Sequence, residues 1–182
     1  MKVLIDACVL YPTVLREIVV GCAKAGLMEP VWSPRILEEW ARAVARNIPD
    51  QAAVARGEIA MLRAHFPTSE IDIDPNLVAQ LYLPDPDDRH VLAAAIGGGV
   101  DGIMTQNLRD FPASSVNEFA IWVRSPDQIL RGVFDEYPDV IDRVVSAVHQ
   151  RAVQLSGQPI DQRKMLKKAR LPRLAKALVA RG

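Results

Sequence analysis

At positions 84–90 the chain reads PDPDDRH, with the apolar run VLAAAI directly behind it. Three carboxylates, Asp85, Asp87 and Asp88, lie within four positions, although a turn or a helix cap needs only one. With the following helix drawn at 100° per residue and Asp88 at 0°, Val91, Leu92 and Ala95 fall at roughly 300°, 40° and 340°. Asp88 therefore opens the face that packs inward. Asp87 points about 100° away, and Asp85 precedes the helix, so both can simply shape the turn. A capping role suffices for Asp88 taken alone; a cation shared with other acids also explains its place at a buried edge.

Other acids fall at positions where such sharing is feasible. Asp6 ends the short apolar run of residues 2–5, and ligands of an open parallel sheet bind beyond the carboxyl ends of its strands. Taken alone, Asp6 reads equally as a turn former. In the segment SPRILEEW, Ile36, Leu37, Trp40 and Val44 form the apolar face while Arg35, Arg42 and Arg46 mark the opposite one. Glu39 lies at the border of the two faces, which makes it the site candidate. Glu38 lies on the basic side, where it can pair with Arg42 at i,i+4. Thr105, Asn107 and Asp110 follow the strand GIMT on the same sheet edge as Asp6. Asp110 is either a ligand or a loop cap; Asn107 is uncharged but can still hydrogen-bond a ligand.

Asp6, Glu39, Asp88 and Asp110 in one cleft would raise one another's pKa, and a hard divalent cation relieves that repulsion. All-oxygen ligation suits Mg²⁺ or Mn²⁺. His65, His90 and His149 are scattered, and Cys8 and Cys22 lack zinc-ligand spacing. Gly97–Gly99 follow a helix instead of opening one, so they do not make a phosphate loop. No Ser-His-Asp or Cys-His arrangement stands out.

The elements that must hold these residues alternate. Strands are expected at 2–5, 30–32, 102–105 and 119–123. Helices are expected at 12–25, from Pro34 behind an N-capping Ser33, at 51–65 and 75–83, and from Arg89 to the glycine stop. Alternating strands and helices point to a parallel sheet in an α/β sandwich. Beyond Ser125-Pro126 only helical patterns occur. Tyr137, Val140, Val144, Val148 and Ala152 mark an amphipathic helix, and one or two short basic helices follow.

The 182 residues suit one domain with an appendage, and 49% apolar residues with only 5% aromatics favour aliphatic helical packing. No apolar stretch reaches the ~20 residues of a membrane span. Asp6 interrupts the N-terminal apolar run, so it is not a signal peptide, and two cysteines make no disulfide framework. A cytoplasmic protein is the expectation. The net charge of zero conceals an asymmetry: residues 1–150 hold 13 Lys/Arg and 21 Asp/Glu, whereas residues 151–182 hold 9 Lys/Arg against Asp161 alone. An acidic body with a basic tail points to a polyanion or an acidic partner, unless the tail is only a solvated helix.

In order along the chain, LIDACVL, SPRILEEW, DPDDRHVLAAA and TQNLRDF resemble the PIN-domain ribonucleases over about residues 1–124. The resemblance implies a PIN-like three-layer α/β sandwich around a parallel sheet (1–124) with an all-helical, basic C-terminal extension (125–182). It implies a Mg²⁺- or Mn²⁺-dependent endoribonuclease acting on RNA phosphodiester bonds. Asp6 matches the acid after the first strand, Glu39 the acid of the following helix, Asp88 the acid opening the later helix, and Thr105 the hydroxyl residue after its strand. Asn107 stands where many members carry Asp, and Asp110 is the substitute. The implied metal ligands are Asp6, Asp88 and Asp110, with Glu39 orienting water and Thr105 and Asn107 hydrogen-bonding around it.

The family includes toxins of VapBC-type toxin–antitoxin pairs, which would make an antitoxin the cognate partner. The basic tail would then grip RNA or dock an acidic antitoxin segment. The apolar faces of 12–25 and 51–65 offer surfaces for a homodimer. Two rivals differ in class. An Asp-nucleophile phosphatase also carries an acid after strand one, but it needs a second Asp where Cys8 stands. A PIN-fold RNA- or partner-binding module, its site degraded at Asn107, would bind without cutting.

Overall fold

Val3, Leu4 and Ile5 are each no more than 1% exposed, as expected of a strand covered on both faces in a parallel sheet. They form β1 (Lys2–Ile5), from which the rest of the fold is described in a computed structural model covering Met1–Arg181. The chain continues through α1 (Ala7–Leu10), α2 (Thr13–Lys24), β2 (Glu29–Val31), α3 (Pro34–Asn47), α4 (Ala52–His65), α5 (Pro75–Gln80) and α6 (Arg89–Gly97). Then come β3 (Gly102–Met104), α7 (Ala113–Val116), β4 (Trp122–Arg124), α8 (Pro126–Glu136), α9 (Pro138–Ser156), α10 (Gln162–Lys168) and α11 (Pro172–Arg181).

The four strands make one parallel sheet in the order β2-β1-β3-β4. β1 lies inside the sheet with its two sequence successors on either side, so the strand order reverses at β1. That is where α/β sheets place their ligands. Leu4 pairs with Val31 on one side and with Ile103 on the other. This is the α/β fold expected, with a helical C-terminal region.

The sheet lies in a compact unit formed by Met1–Tyr11 and Met28–Arg124; a second, all-helical unit combines Pro12–Leu27 with the chain from Ser125 onward. The second unit therefore includes α2, which lies inside the 1–124 segment. α2 packs on α9, and the approach is close: a Cβ added at Gly21 would lie 2.7 Å from Val144 Cγ1. In the same unit the buried Asp127 accepts the backbone N–H of Arg173 at 3.0 Å and of Leu174 at 3.1 Å, so a carboxylate from α8 caps α11.

Two boundaries differ from expectation. The last strand starts at Trp122, not 119, because residues 117–119 form a 3₁₀ turn that ends with Ala120 in the left-handed region at φ 55°. The register explains where pairing begins. Trp122 sits against Gly102, where any Cβ would come within 2.1 Å of the indole. Helix α5 ends at Gln80; Leu81 and Leu83 are buried as extended chain leading into the aspartate cluster. Among the described residues no helix is long and apolar enough to cross a membrane.

Candidate active site

β1 and β3 end side by side, the amide of Asp6 donating to the Met104 carbonyl at 3.1 Å. Their first residues past the sheet, Asp6 (5% exposed) and Thr105 (0%), are both buried. Thr105 Oγ1 donates to Asp6 Oδ2 at 2.6 Å, and Cys8 Sγ donates to the same oxygen at 3.0 Å. Thr105 Oγ1 in turn accepts the amide of Asn107 at 3.0 Å, and Cys8 Sγ accepts that of Gln106 at 3.2 Å. All these bonds to the carboxylate fall on Oδ2. Burial, followed by the charge of Asp6, pushes the Cys8 thiol up to about 12, so it remains a protonated donor.

The PDPDDRH segment resolves into a 3₁₀ turn, Pro86–Asp88, leading into α6. The cap belongs to Asp85, whose Oδ1 accepts the Asp87 amide at 2.9 Å. Asp88 stands at the N-terminus of α6 but makes no capping bond. It is half-buried, and its carboxyl is pushed up to about 7. Burial is the largest cause, followed by the charges of Asp6, Asp110 and Asp85; His90 acts weakly the other way. Asp88 is thus near enough to Asp6 and to Asp110 to feel the charge of each.

Glu39 joins this site by a different route. His90 Nε2 meets Glu39 Oε1 at 2.9 Å, and Arg35 Nε donates to the same oxygen at 3.0 Å. Arg35 also donates to the Asp87 carbonyl at 3.4 Å, tying α3 to the aspartate turn. Partial burial alone would raise the Glu39 carboxyl, but His90 and Arg35 outweigh it and hold the group below its ordinary range. His90 is 2% exposed, and its Nδ1 is buried with no hydrogen-bond partner. Glu38 faces away, as its side of the helix wheel implied. It pairs with Arg42 at 2.9 Å and with Arg56 from α4 at 3.0 Å, and these two hold it at about 2. A shallow pocket beside it is lined by Pro34, Arg35, Glu38, Glu39 and Arg42.

Bonds and mutual charge therefore link Asp6, Thr105, Asn107, Asp88 and Asp110, while Glu39 stands at the flank through His90. Asn107 is exposed and contributes its backbone amide; Asp110 ends a short 3₁₀ turn. Asp6, Asp88 and Asp110 do not form a ready-made ligand cage. Among the described residues no three His, Cys, Asp or Glu side chains gather closely enough to hold a metal ion. Burial, followed by the charges of Asp6, Asp110 and Asp85, accounts for the rise at Asp88. The donor chemistry still fits a hard cation, since the converging groups are carboxylate oxygens and, among the described residues, no basic side chain forms an ion pair with Asp6 or Asp88.

Cys8 and His90 were not legible as site residues. Cys8 follows Asp6 by two positions and carries no ligand spacing. His90 lies on a helix whose residues 90–95 are all buried, so no polar face exists to sort it onto.

The PIN domain family model matches residues 2–109. The chain belongs to the PIN-domain family. The match spans Asp6, Glu39, Asp88, Thr105 and Asn107 and ends one residue before Asp110. Comparison with curated proteins and with solved structures gave no match. The PIN fold is a nuclease-type fold, and in this member the strand-end and turn acids lie at the sheet edge where strand order reverses.

Proposed function

We propose that this PIN protein is a Mg²⁺- or Mn²⁺-dependent endoribonuclease and the toxin half of a toxin–antitoxin module. The observation that carries the reading is the convergence of Asp6, Asp88 and Asp110 on one sheet edge, where burial and mutual charge push Asp88 up to about 7. A site that keeps acids together at such a cost to itself is built for a cation. Asp6, Asp88 and Asp110 would hold it. When bound, the ion supplies Lewis-acid polarisation of phosphate and water.

The chain's own groups do the rest. Thr105 and Cys8 fix the Asp6 carboxylate through Oδ2, which leaves Oδ1 as the oxygen to offer. His90 and Arg35 hold Glu39 ionised, ready to orient or deprotonate a water for in-line attack. The exposed Asn107 side chain is available to donate to a phosphate oxygen. The partners implied are RNA as substrate and a cognate antitoxin; the apolar faces of α2 and α4 are buried within the protomer, so a homodimer would have to use the exposed Val54 and Met61 of α4.

The test is cleavage of a mixed RNA substrate with Mn²⁺ or Mg²⁺, comparing the wild type, Asp88→Asn and an EDTA control. Metal-dependent cutting that the variant loses is expected. Wild-type protein that binds RNA equally with and without EDTA and cuts nothing would instead make it a binding module. The toxin role is tested by growth: induction should arrest a host, and Asp88→Asn should not.

A further inference from the structure

The second unit carries a feature that the nuclease site does not use. On α10, Arg163, Lys164, Lys167 and Lys168 fall within an arc of roughly 140°, opposite the buried Met165 and Leu166. On α11, Arg173 and Lys176 are exposed while Leu174, Ala175 and Leu178 are buried. Among the described residues none of these six side chains makes an ion pair. The acids beside them are engaged elsewhere. Asp161 accepts the Lys164 amide at 2.6 Å, and Asp127 is buried on the amides of Arg173 and Leu174. Arg181, by contrast, is neutralised by Asp139.

We infer that this α10–α11 face is a docking surface for the sugar–phosphate backbone of RNA. The identity of the polyanion rests on the ribonuclease reading. An acidic protein segment is the other polyanion to weigh, but protein interfaces bury aromatic and apolar anchors and are depleted in lysine at their centre. Residues 157–181 contain no Phe, Tyr or Trp, and Val179 is their one exposed large apolar residue. Unpaired cations without apolar or stacking partners suit phosphate contacts that carry no sequence information.

The test is binding of a fluorescent 20-nucleotide oligouridine in EDTA across a salt series, so that no cleavage is needed. Full-length wild type is compared with Lys164→Gln/Lys167→Gln/Lys168→Gln and with the same three lysines changed to Arg. Each phosphate contact on single strands contributes about 0.7 to the slope of log K against log salt. The Gln variant should therefore lose about 2 from that slope and bind at least tenfold more weakly, while the Arg variant matches wild type. Unchanged binding by the Gln variant overturns the inference. So does an equal loss in the Gln and Arg variants, or displacement of the RNA by poly-glutamate at equal charge concentration. If RNA binding depends on the lysines but no condition yields cleavage, the docking surface stands and the nuclease reading falls. Cleavage with lysine-independent binding means the reverse.

Discussion

Replacing Asp88 with Asn should stabilise the metal-free protein, fully from neutral pH upward and progressively less toward pH 4. In the folded chain this carboxyl titrates at about 7 against an ordinary 3.8. Its folded value is raised, so the folded state holds a proton that the unfolded state has released between these limits. Stability contributed by the protonated form is lost as pH rises toward 7. A displacement of about 3 in pH, at 1.36 kcal/mol each, sets a ceiling of about 4 kcal/mol, and solvent at the half-open site reduces it to about 2 kcal/mol. Asn keeps the shape and gives up no cap, since Asp88 makes none. Thermal unfolding in EDTA at pH 7.5 should place the variant about 4–8 °C above wild type. At pH 5 the gap should fall below about 1 kcal/mol. Saturating Mn²⁺ reverses the order, because an ion at a hundred times its Kd adds about 2.7 kcal/mol to wild type alone. A variant no more stable than wild type at pH 7.5 in EDTA would refute the picture of acids held together against their charge.

Thr105→Val removes the 2.6 Å bond to Asp6 without changing side-chain volume. It should cost about 1–3 kcal/mol in a urea melt and lower cleavage, whereas Thr105→Ser keeps both. His90→Gln removes the largest influence that keeps Glu39 low, so the acid limb of the cleavage pH profile should move upward; an unmoved limb would exclude Glu39 as the titrating base. Gly102→Ala forces a Cβ into the Trp122 ring and should cost at least about 1–3 kcal/mol in chemical denaturation. Asp127→Ala uncaps α11 and should cost about 1–2 kcal/mol by the same measurement.

The chain's pattern made the sheet legible because parallel strands buried on both faces are short apolar runs, and Ser33-Pro34 marks a helix start by chemistry alone; in the structure Ser33 Oγ accepts the Ile36 amide at 3.2 Å. The last strand was displaced by three residues because Gly102 dictates its register from across the sheet, and local pattern carries no such information. At the site, the acids were visible from strand ends and helix wheels. The bonds around Asp6 were not, since Cys8 and Thr105 are 97 residues apart. Nor was the division of labour at residues 85–88: Asp85 makes the cap that could as well have fallen to Asp88.

The discontinuity of the helical unit bears on how the chain is made. α2 leaves the ribosome early, between β1 and β2, but its packing partner α9 is synthesised more than a hundred residues later. At ~5–20 residues per second that interval is of order ten seconds. Throughout it, α2, whose Leu15, Ile18, Val19 and Cys22 are buried in the finished protein, lacks the helix it packs on. A chain ending at Arg124 would hold Asp6, Glu39, Asp88 and Asp110 but would lack α9, the helix on which α2 packs. The sheet can assemble during synthesis, but the folded protein is completed only once its last helices have emerged.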